Sequence, residues 1–246
     1  MSVLVLQLAG PLQAWGSAAR FARRTTESAP TKSGVLGLLA AAFGRERTDD
    51  LSDLAVLRYG VRIDQPGVRI RDYQTAHHFE TDVSMPVSER FYLADAVFVA
   101  AVEGDPDLLE RAHHALWHPT FLPYLGRRSC PPSRPVSLGI RAELDIETAL
   151  GVDGAKPGTE AWRASPWHRR SQDEPEVRLT ALIEPRPADT RAGWRIESLH
   201  DQPLSFDPRH RRYALRGFVA GQATAPNPAA RTGRPAHDPI AALGEA

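Results

Sequence analysis

Residues 8 to 43 read LAGPLQAWGSAARFARRTTESAPTKSGVLGLLAAAF, and this stretch holds the clearest structural signals of the chain. It starts in an apolar strand, predicted over residues 2 to 9, which Gly10 ends. A polar loop follows, and the stretch closes with a helix predicted from Ser33 to Phe43. Thr31 or Ser33 is placed to cap the start of this helix, and Gly44 follows as its C′ residue. The stretch therefore predicts a strand, a loop and a helix in succession.

The loop is basic and rich in hydroxyl groups, with Glu27 as its one acidic residue. Cations neutralise a phosphate backbone, hydroxyls donate hydrogen bonds to it, and aromatic rings stack on bases. We therefore expect the loop to face nucleic acid. Its basic and aromatic members are Trp15, Arg20, Phe21, Arg23, Arg24 and Lys32.

Composition sets the broad class of the protein. The chain has 246 residues, 42% of them hydrophobic, so it can build a substantial core. A single cysteine, Cys130, excludes an internal disulfide and fits a reducing cytoplasm. No apolar run reaches membrane-spanning length and the first residues lack the basic flank of a signal peptide. We expect a cytoplasmic protein with no membrane contact.

Charge is segregated along the chain although the net charge is zero, with 30 basic and 30 acidic residues. Residues 119–141 hold four arginines and no acid, whereas residues 103–110 hold four acids and no base. A basic face can therefore coexist with an acidic one. The basic residues are 28 arginines and two lysines, which suits phosphate binding but also fits a GC-rich genome.

The predicted elements follow the order strand, helix, strand, strand, helix, strand. This order is that of the ferredoxin-like βαββαβ fold, which RNA-recognition modules share. The fold class predicted is therefore α+β. After the first strand and helix, the predicted elements are strands at Leu57 to Ile63 and Phe91 to Val102, a helix at Asp107 to Trp117, and a strand at Pro135 to Ile140.

The same pattern divides the chain. Residues 1–141 form the predicted ferredoxin-like domain, with a protruding ribbon at about 65–90. Residues 142–221 are predicted as a small antiparallel β unit containing a mobile loop at 153–175, and 222–246 as a disordered tail. The strands expected in the small unit are Val177 to Ile183, Trp194 to Leu199 and Tyr213 to Val219.

The PTKSG sequence of residues 30–34 resembles a phosphate-binding loop that leads into a helix, but it lacks the glycine spacing of a Walker A motif. Taken alone, the segment is more simply a helix cap. With the arginines just upstream, we favour an interaction between this helix N-terminus and an RNA or DNA phosphate.

Two further segments favour nucleic acid. In PYLGRRSCP, residues 123–131, paired arginines follow Gly126, which permits a positive φ or a close backbone approach. Adjacent like charges on a stiff loop repel unless an anion lies between them. In the ribbon, a polar, aromatic, hydrogen-bonding string is formed by Arg71, Asp72, Tyr73, Gln74 and Thr75, and its arginine or tyrosine could stack on a flipped base.

Metal and cofactor chemistry find no support. His114 and His118 are four residues apart on the predicted helix, but HALWH lacks the glutamate of HExxH. His77 and His78 have no partners at ligand spacing. The sequence predicts no metal and no cofactor.

Four motifs occur in an order that resembles the CasD family: LAGPLQAWG, PTKSGVLGLLAAAFG, IRDYQT and PYLGRRSCP. Members of this family are subunits of type I-E CRISPR Cascade complexes and belong to the Cas-five group of the RAMP superfamily. The resemblance covers about residues 3–141 and, more loosely, RRYALRGFVAG. It implies that the ribbon is a thumb-like hairpin. It also implies partners: the 5′ repeat-derived handle of CRISPR RNA, the Cascade backbone and large subunits, and target DNA indirectly.

The resemblance also implies which residues touch the RNA. Gln13, Trp15 and Gly16 would lie in a loop that faces the handle, and Arg71 and Tyr73 near its junction with the spacer. Thr31, Lys32 and Ser33 would bind backbone phosphates, and Arg127 and Arg128 would bind them from the other side. The residue patterns described above add the other predicted RNA-binding residues: Arg20, Arg23, Arg24, Gln74, Tyr124 and Gly126.

Non-catalytic binding is the preferred function. The alternative is a metal-independent endoribonuclease, because relatives in another CRISPR subtype cut repeat RNA themselves. Lys32, Tyr73 and His77 or His78 could supply its acid and base. A module that binds only proteins would leave the paired arginines without a role.

Overall fold

A computed structural model of the chain describes residues 1–17, 23–152, 175–186, 195–227 and 230. These residues form a mixed α/β fold of mostly antiparallel sheets. Its strands are β1 Ser2–Ala9, β2 Leu12–Gln13, β3 Arg23–Arg24, β4 Arg58–Gln65, β5 Val68–Gln74, β6 Ser88–Ala94, β7 Val97–Gly104, β8 Ser137–Ala142, β9 Glu176–Ile183, β10 Ile196–Ser205 and β11 Arg212–Pro226. Its helices are α1 Lys32–Ala42, α2 Ser52–Ala55, α3 Pro106–Trp117 and α4 Ile146–Leu150.

The larger sheet has the strand order β10-β11-β9-β4-β7-β1-β8. Strand β1 lies between β7 and β8 and is antiparallel to both. Its side chains alternate between two buried faces: Leu4 and Leu6 belong to the core that contains residues of α1 and α3, and Val3 and Val5 to the core that contains residues of α4. Because both faces are covered, six of the eight residues of β1 are apolar, and its two polar residues, Ser2 and Gln7, are buried as well.

The caps of α1 are those that the sequence predicts, and α3 begins one residue before its predicted start. The Thr31 side chain accepts a hydrogen bond from the Gly34 backbone N–H and so caps α1, and Gly44 after its end has φ +78°. Asp105 caps α3, whose first residue is Pro106. Within the described ranges, no helix has the length and apolar character of a membrane span.

One predicted strand is wrong. The apolar run from Phe91 to Val102 is not continuous, because the chain turns at Asp95 with φ +55° and passes from β6 into β7. The two strands belong to different sheets. Aspartate tolerates the left-handed conformation, and the Asp95 N–H donates to the Pro11 carbonyl. Because the residues on both sides of Asp95 are mostly apolar, hydrophobic periodicity does not predict this turn.

The C-terminal strands extend the larger sheet, because β9 pairs with β4 and β11 pairs with β9. The strands predicted from Val177 and from Tyr213 are confirmed. Trp194 lies outside the described residues, and the third predicted strand occurs as β10 from Ile196. The sheet thus crosses the predicted division after residue 141, and that domain boundary stays a prediction.

The prediction of a disordered tail from residue 222 is wrong for its first residues. Strand β11 continues to Pro226, with Gln222 opposite Thr180 and Pro226 opposite Glu176. Ala223 and Ala225 are fully buried, because their small side chains fit the alternate inward positions of the strand. Residues 228, 229 and 231–246 lie outside the described residues, as do 153–174 of the predicted mobile loop.

Candidate nucleic-acid interface

A second sheet is built around β6. Strand β5 pairs along β6 in antiparallel fashion, with Arg71 opposite Phe91. This pairing confirms the predicted ribbon as a β hairpin. On the other edge of β6, the short strand β3 runs parallel to it, with Arg23 opposite Glu89, and β2 pairs with its end. Residues in register share a face of a sheet, so the pairing decides which arginines lie together.

Three arginines and two aromatic rings share one face of this sheet. The Arg23 guanidinium carbon lies 5.4 Å from the centre of the Phe91 ring, and that of Arg71 lies 5.0 Å from the Tyr73 ring. Cation–π contacts of this kind attract a guanidinium to the face of a ring. We name this surface the arginine face: Arg23, Arg69, Arg71, Tyr73 and Phe91.

The arginine face is exposed and positively charged. Its arginines are exposed, the Arg23 side chain to 72%, and Tyr73 is 55% exposed. Strands β3, β5 and β6 place one carboxylate, Glu89, beside these three cations, and it lies 4.0 Å from Arg23. An exposed pair at this distance compensates little charge. The face can bind phosphates through guanidinium groups and present planar surfaces to unstacked bases.

Two members of the arginine face were missed from the sequence. Arg69 lies two residues before Arg71 on β5, so the alternation of the strand could have identified it. Its Nη2 also donates to the Thr26 carbonyl oxygen at 3.1 Å, which ties the loop after β3 to the hairpin. Phe91 could not be found without the register of β6 against β5.

Gln74 lies on the opposite face of the hairpin. It alternates with Tyr73, and its side-chain amide donates to Asp72 at 2.7 Å. The structure therefore brings Arg71 and Tyr73 together but separates Gln74 from them.

The loop of the paired arginines docks against the segment after β2. The Ala14 N–H donates to the Leu125 carbonyl, and Gly126 has φ +83°. A Cβ at Gly126 would overlap the Ala14 carbonyl oxygen, so the predicted close backbone approach is confirmed. Tyr124 is half-buried, while Arg128 is exposed and has no hydrogen-bond or ion-pair partner among the described residues.

Replacing Gly126 with alanine is expected to destabilise the protein by more than about 1 kcal/mol, because a positive φ costs an L-residue that much before any steric overlap. The matched control is Gly139→Ala, since Gly139 has φ +95° but its Cβ would meet only Arg141 Nη1, at 3.4 Å. Urea-unfolding midpoints compare the two. Equal losses of stability in the two variants would show that the close approach of residue 126 to the Ala14 carbonyl adds nothing to the cost of the positive φ.

Two residues of the predicted handle-facing loop are instead part of the core. The side-chain amide of Gln13 donates to the carbonyls of Leu8 and Ala96 at 3.0 and 2.8 Å. Its oxygen accepts the indole N–H of Trp15, and both side chains are fully buried. The prediction that Trp15 faces RNA is therefore corrected: its ring is packed inside and cannot stack on a base. Gly16, directly after it, is exposed.

The PTKSG segment is also internal. Thr31, Lys32 and Ser33 are buried. The Lys32 ammonium binds both carboxylate oxygens of Glu184 at 3.2 and 3.0 Å. Burial lowers the pKa of Lys32, while the charge of Glu184 opposes that shift.

The anion position at the start of α1 is occupied by the chain itself. The Lys32 backbone N–H donates to the Asp201 carboxylate at 2.7 Å, and Arg216 binds the same carboxylate through two nitrogens at 2.8 and 2.9 Å. A helix N-terminus does attract an anion, as predicted, but here a carboxylate from β10 supplies it. We therefore remove Thr31, Lys32 and Ser33 from the candidate interface. Arg20 lies outside the described residues.

The comparisons with known proteins agree with this architecture. A model of the family described as "CRISPR-associated protein (Cas_Cas5)" matches residues 3–219. The chain belongs to this family.

The relatives agree with the resemblance that the sequence indicates. The chain is 37% identical over 170 residues to "CRISPR system Cascade subunit CasD" of Escherichia coli (strain K12), covering 61% of this chain and 75% of the relative. Its fold is similar to that of a chain in a structure titled "CRISPR RNA-guided surveillance complex", with TM-score 0.70, 30% identity and coverage of 98% and 97% of the two chains. A second structure, titled "Crystal structure of Cas protein", has TM-score 0.65 and 35% identity, and the match covers 95% of this chain and 100% of the other. The similarity to CasD is thereby confirmed.

Proposed function

We propose that this chain acts in the cytoplasm as a non-catalytic RNA-binding subunit of a CRISPR surveillance complex of the type I-E Cascade class. In this proposal it grips the 5′ repeat-derived handle of the CRISPR RNA and caps one end of the backbone filament. The backbone and large subunits are its protein partners, and target DNA reaches it only through the assembled complex.

The observation that carries this proposal is the arginine face. It combines three exposed guanidinium groups with two rings on adjacent strands, and one carboxylate opposes them. Single-stranded RNA offers the matching chemistry, because phosphates and splayed bases occur together along it. Arg24 alternates with Arg23 on β3, at an edge of this sheet, and Arg128 is exposed on the loop that docks beside it; both would bind phosphates next to the arginine face and not on it.

The larger sheet and the β5–β6 hairpin would correspond to the core and the thumb of such a subunit. Strands β1, β4, β7 and β8 are adjacent in the order β4-β7-β1-β8, and α1 and α3 connect β1 to β4 and β7 to β8. This arrangement supports a ferredoxin-like core. The hairpin of β5 and β6 would then be the thumb that projects toward the RNA.

The endoribonuclease alternative receives less support. Lys32 is 2% exposed and its ammonium binds Glu184, whereas Tyr73 is exposed beside Arg71. The described contacts join Lys32 to neither Tyr73 nor the histidines, and His77 instead lies beside Asp82. A general base and a general acid must both lie within hydrogen-bond reach of the same RNA bond. The described contacts bring no two of these candidate groups together.

Purified chain incubated with repeat RNA in EDTA is expected to bind the RNA and leave it intact. A tagged chain expressed with a complete CRISPR locus is expected to recover CRISPR RNA together with Cascade subunits. End-labelled RNA on a denaturing gel and mass spectrometry of the recovered proteins measure the two outcomes.

Cleavage within the repeat would favour the endoribonuclease, provided that Tyr73→Phe or His77→Ala abolishes it, because a contaminating nuclease would be unaffected by either change. Recovery of Cascade subunits after complete RNase digestion, together with no RNA binding by the chain itself, would favour the protein-binding module.

A further inference from the structure

Arg127 and Arg128 are neighbours in sequence but differ in their contacts. The Arg127 guanidinium carbon lies 4.7 Å from the centre of the Tyr92 ring, and Tyr92 is 2% exposed. Its Nη2 donates to the backbone carbonyl of Arg24 at 2.9 Å. Arg128 is exposed and has no such partner in the described part of the chain. Arg127 therefore joins the docked loop to β6 and to β3.

The strand that Arg127 contacts has a short backbone pairing, and Arg69 holds the loop that follows it. Strand β3 is two residues long and pairs with β6 only at Glu89 and Arg90. An isolated pairing of this length has few hydrogen bonds to fix it. A bond from a charged donor to the Arg24 carbonyl is stronger than a neutral one. The Arg127 contact thus holds the end of β3 at Arg24, two residues before the Thr26 carbonyl that Arg69 holds, and so helps to fix the backbone that carries Arg23 and Arg24.

The other terminal nitrogen of Arg127 is not available to a ligand from solvent. Nη1 is enclosed by protein and has no hydrogen-bond acceptor among the described residues. The Arg128 and Arg24 side chains, by contrast, are exposed and available to a phosphate from solvent.

We propose that Arg127 is a positioning residue, which holds β3 so that Arg23 and Arg24 present their charges to RNA, while Arg128 contacts phosphate directly. This inference rests on the proposed function. It reverses the expectation that the two adjacent arginines act alike.

A double-mutant cycle tests the inference, using single-stranded repeat RNA and measuring affinity between 50 and 300 mM salt. Each phosphate contact contributes about 0.7 to the slope of log affinity against log salt for single strands. Arg23→Ala with Arg24→Ala should lower the slope by about 1.4, and Arg127→Ala should lower it by a similar amount. Adding Arg127→Ala to the Arg23→Ala, Arg24→Ala variant should change nothing further.

Arg128→Ala is the matched comparison, because it should lower the slope by about 0.7 in either background. If Arg127→Ala also gives an independent step of about 0.7 in both backgrounds, Arg127 is itself a phosphate contact and the inference is wrong. An unchanged affinity for Arg127→Ala would equally overturn it. A wild-type chain that does not bind RNA at all would overturn the proposed function instead.

Should Arg127→Ala fail to fold by circular dichroism, Arg127→Lys serves in the same cycle. Lysine keeps the charge but replaces the planar fork with a single ammonium. A positioning role predicts that Arg127→Lys still lowers the slope and weakens binding. A direct phosphate contact predicts an unchanged slope, because the charge is retained.

Discussion

Alanine at Arg23, Arg69 and Arg71 together is expected to lower the salt slope of RNA binding by about 2, which is three phosphate contacts at about 0.7 each. The physical reason is that the three guanidinium groups share one face of the second sheet, with Glu89 as the carboxylate those strands place among them. Because Arg71 and Arg23 also cover rings, their loss removes planar surface as well as charge. We expect affinity at low salt to fall by at least about tenfold. Fluorescence anisotropy with labelled single-stranded RNA measures both quantities.

The charge-matched control replaces three exposed arginines on other elements: Arg47, Arg111 and Arg209. It removes the same net charge, so a nonspecific effect of total charge would appear equally in both variants. We expect the control to keep most of the affinity. If the control weakened binding as much as the triple variant does, the arginine face would not be the RNA site.

Asp201→Ala is expected to destabilise the protein by about 3–5 kcal/mol, the range for removing one partner of a buried ion pair. Asp201 is fully buried, and its carboxylate accepts hydrogen bonds from Arg216 and from the Lys32 backbone N–H. Without it, the Arg216 guanidinium stays enclosed against Tyr59, and the first turn of α1 loses an acceptor. The midpoint of urea unfolding, followed by tryptophan fluorescence, measures the loss.

Asp53→Ala is the control for this prediction, because it breaks an ion pair with Arg45 in which Asp53 is 41% exposed. Exposed pairs contribute about 0–1 kcal/mol, so this variant should remain close to wild type. Asp201→Asn keeps an acceptor for the helix but loses the charge. Its stability should lie between those of Asp201→Ala and Asp53→Ala. Equal stabilities for Asp201→Ala and Asp53→Ala would show that the buried network does not stabilise the fold.

The features predicted correctly from the sequence are those that depend on neighbouring residues only. The caps at Thr31 and Gly44, and the positive φ of Gly126, follow from what one residue does to its own backbone. The turn at Asp95 was missed because the residues on both sides of it are apolar, and β11 was predicted too short because alanines carry little periodic signal. Both failures concern long-range pairing, which a window of neighbouring residues does not contain.

The candidate site was predicted only in part for the same reason. Arg23, Arg71 and Tyr73 were named from the sequence and lie on the arginine face, whereas Trp15 and Lys32 were named and are buried. A lysine that follows a threonine at the start of a helix is a residue pattern typical of phosphate-binding sites. What changes its role is Asp201, 169 positions away in the chain.

The stretch from residue 8 to residue 43 thus determined by itself the end of the first strand and the capped helix, and it supplied two of the four motifs that resemble the family, because capping, apolar patterning and short motifs are properties of adjacent residues. Tertiary structure alone decided which of its polar groups face solvent. The β10 carboxylate took the helix N-terminus, and the register of β3 against β6 turned Arg23 toward Phe91. Burial depends on partners brought from far along the chain, and that information is not present in any one segment.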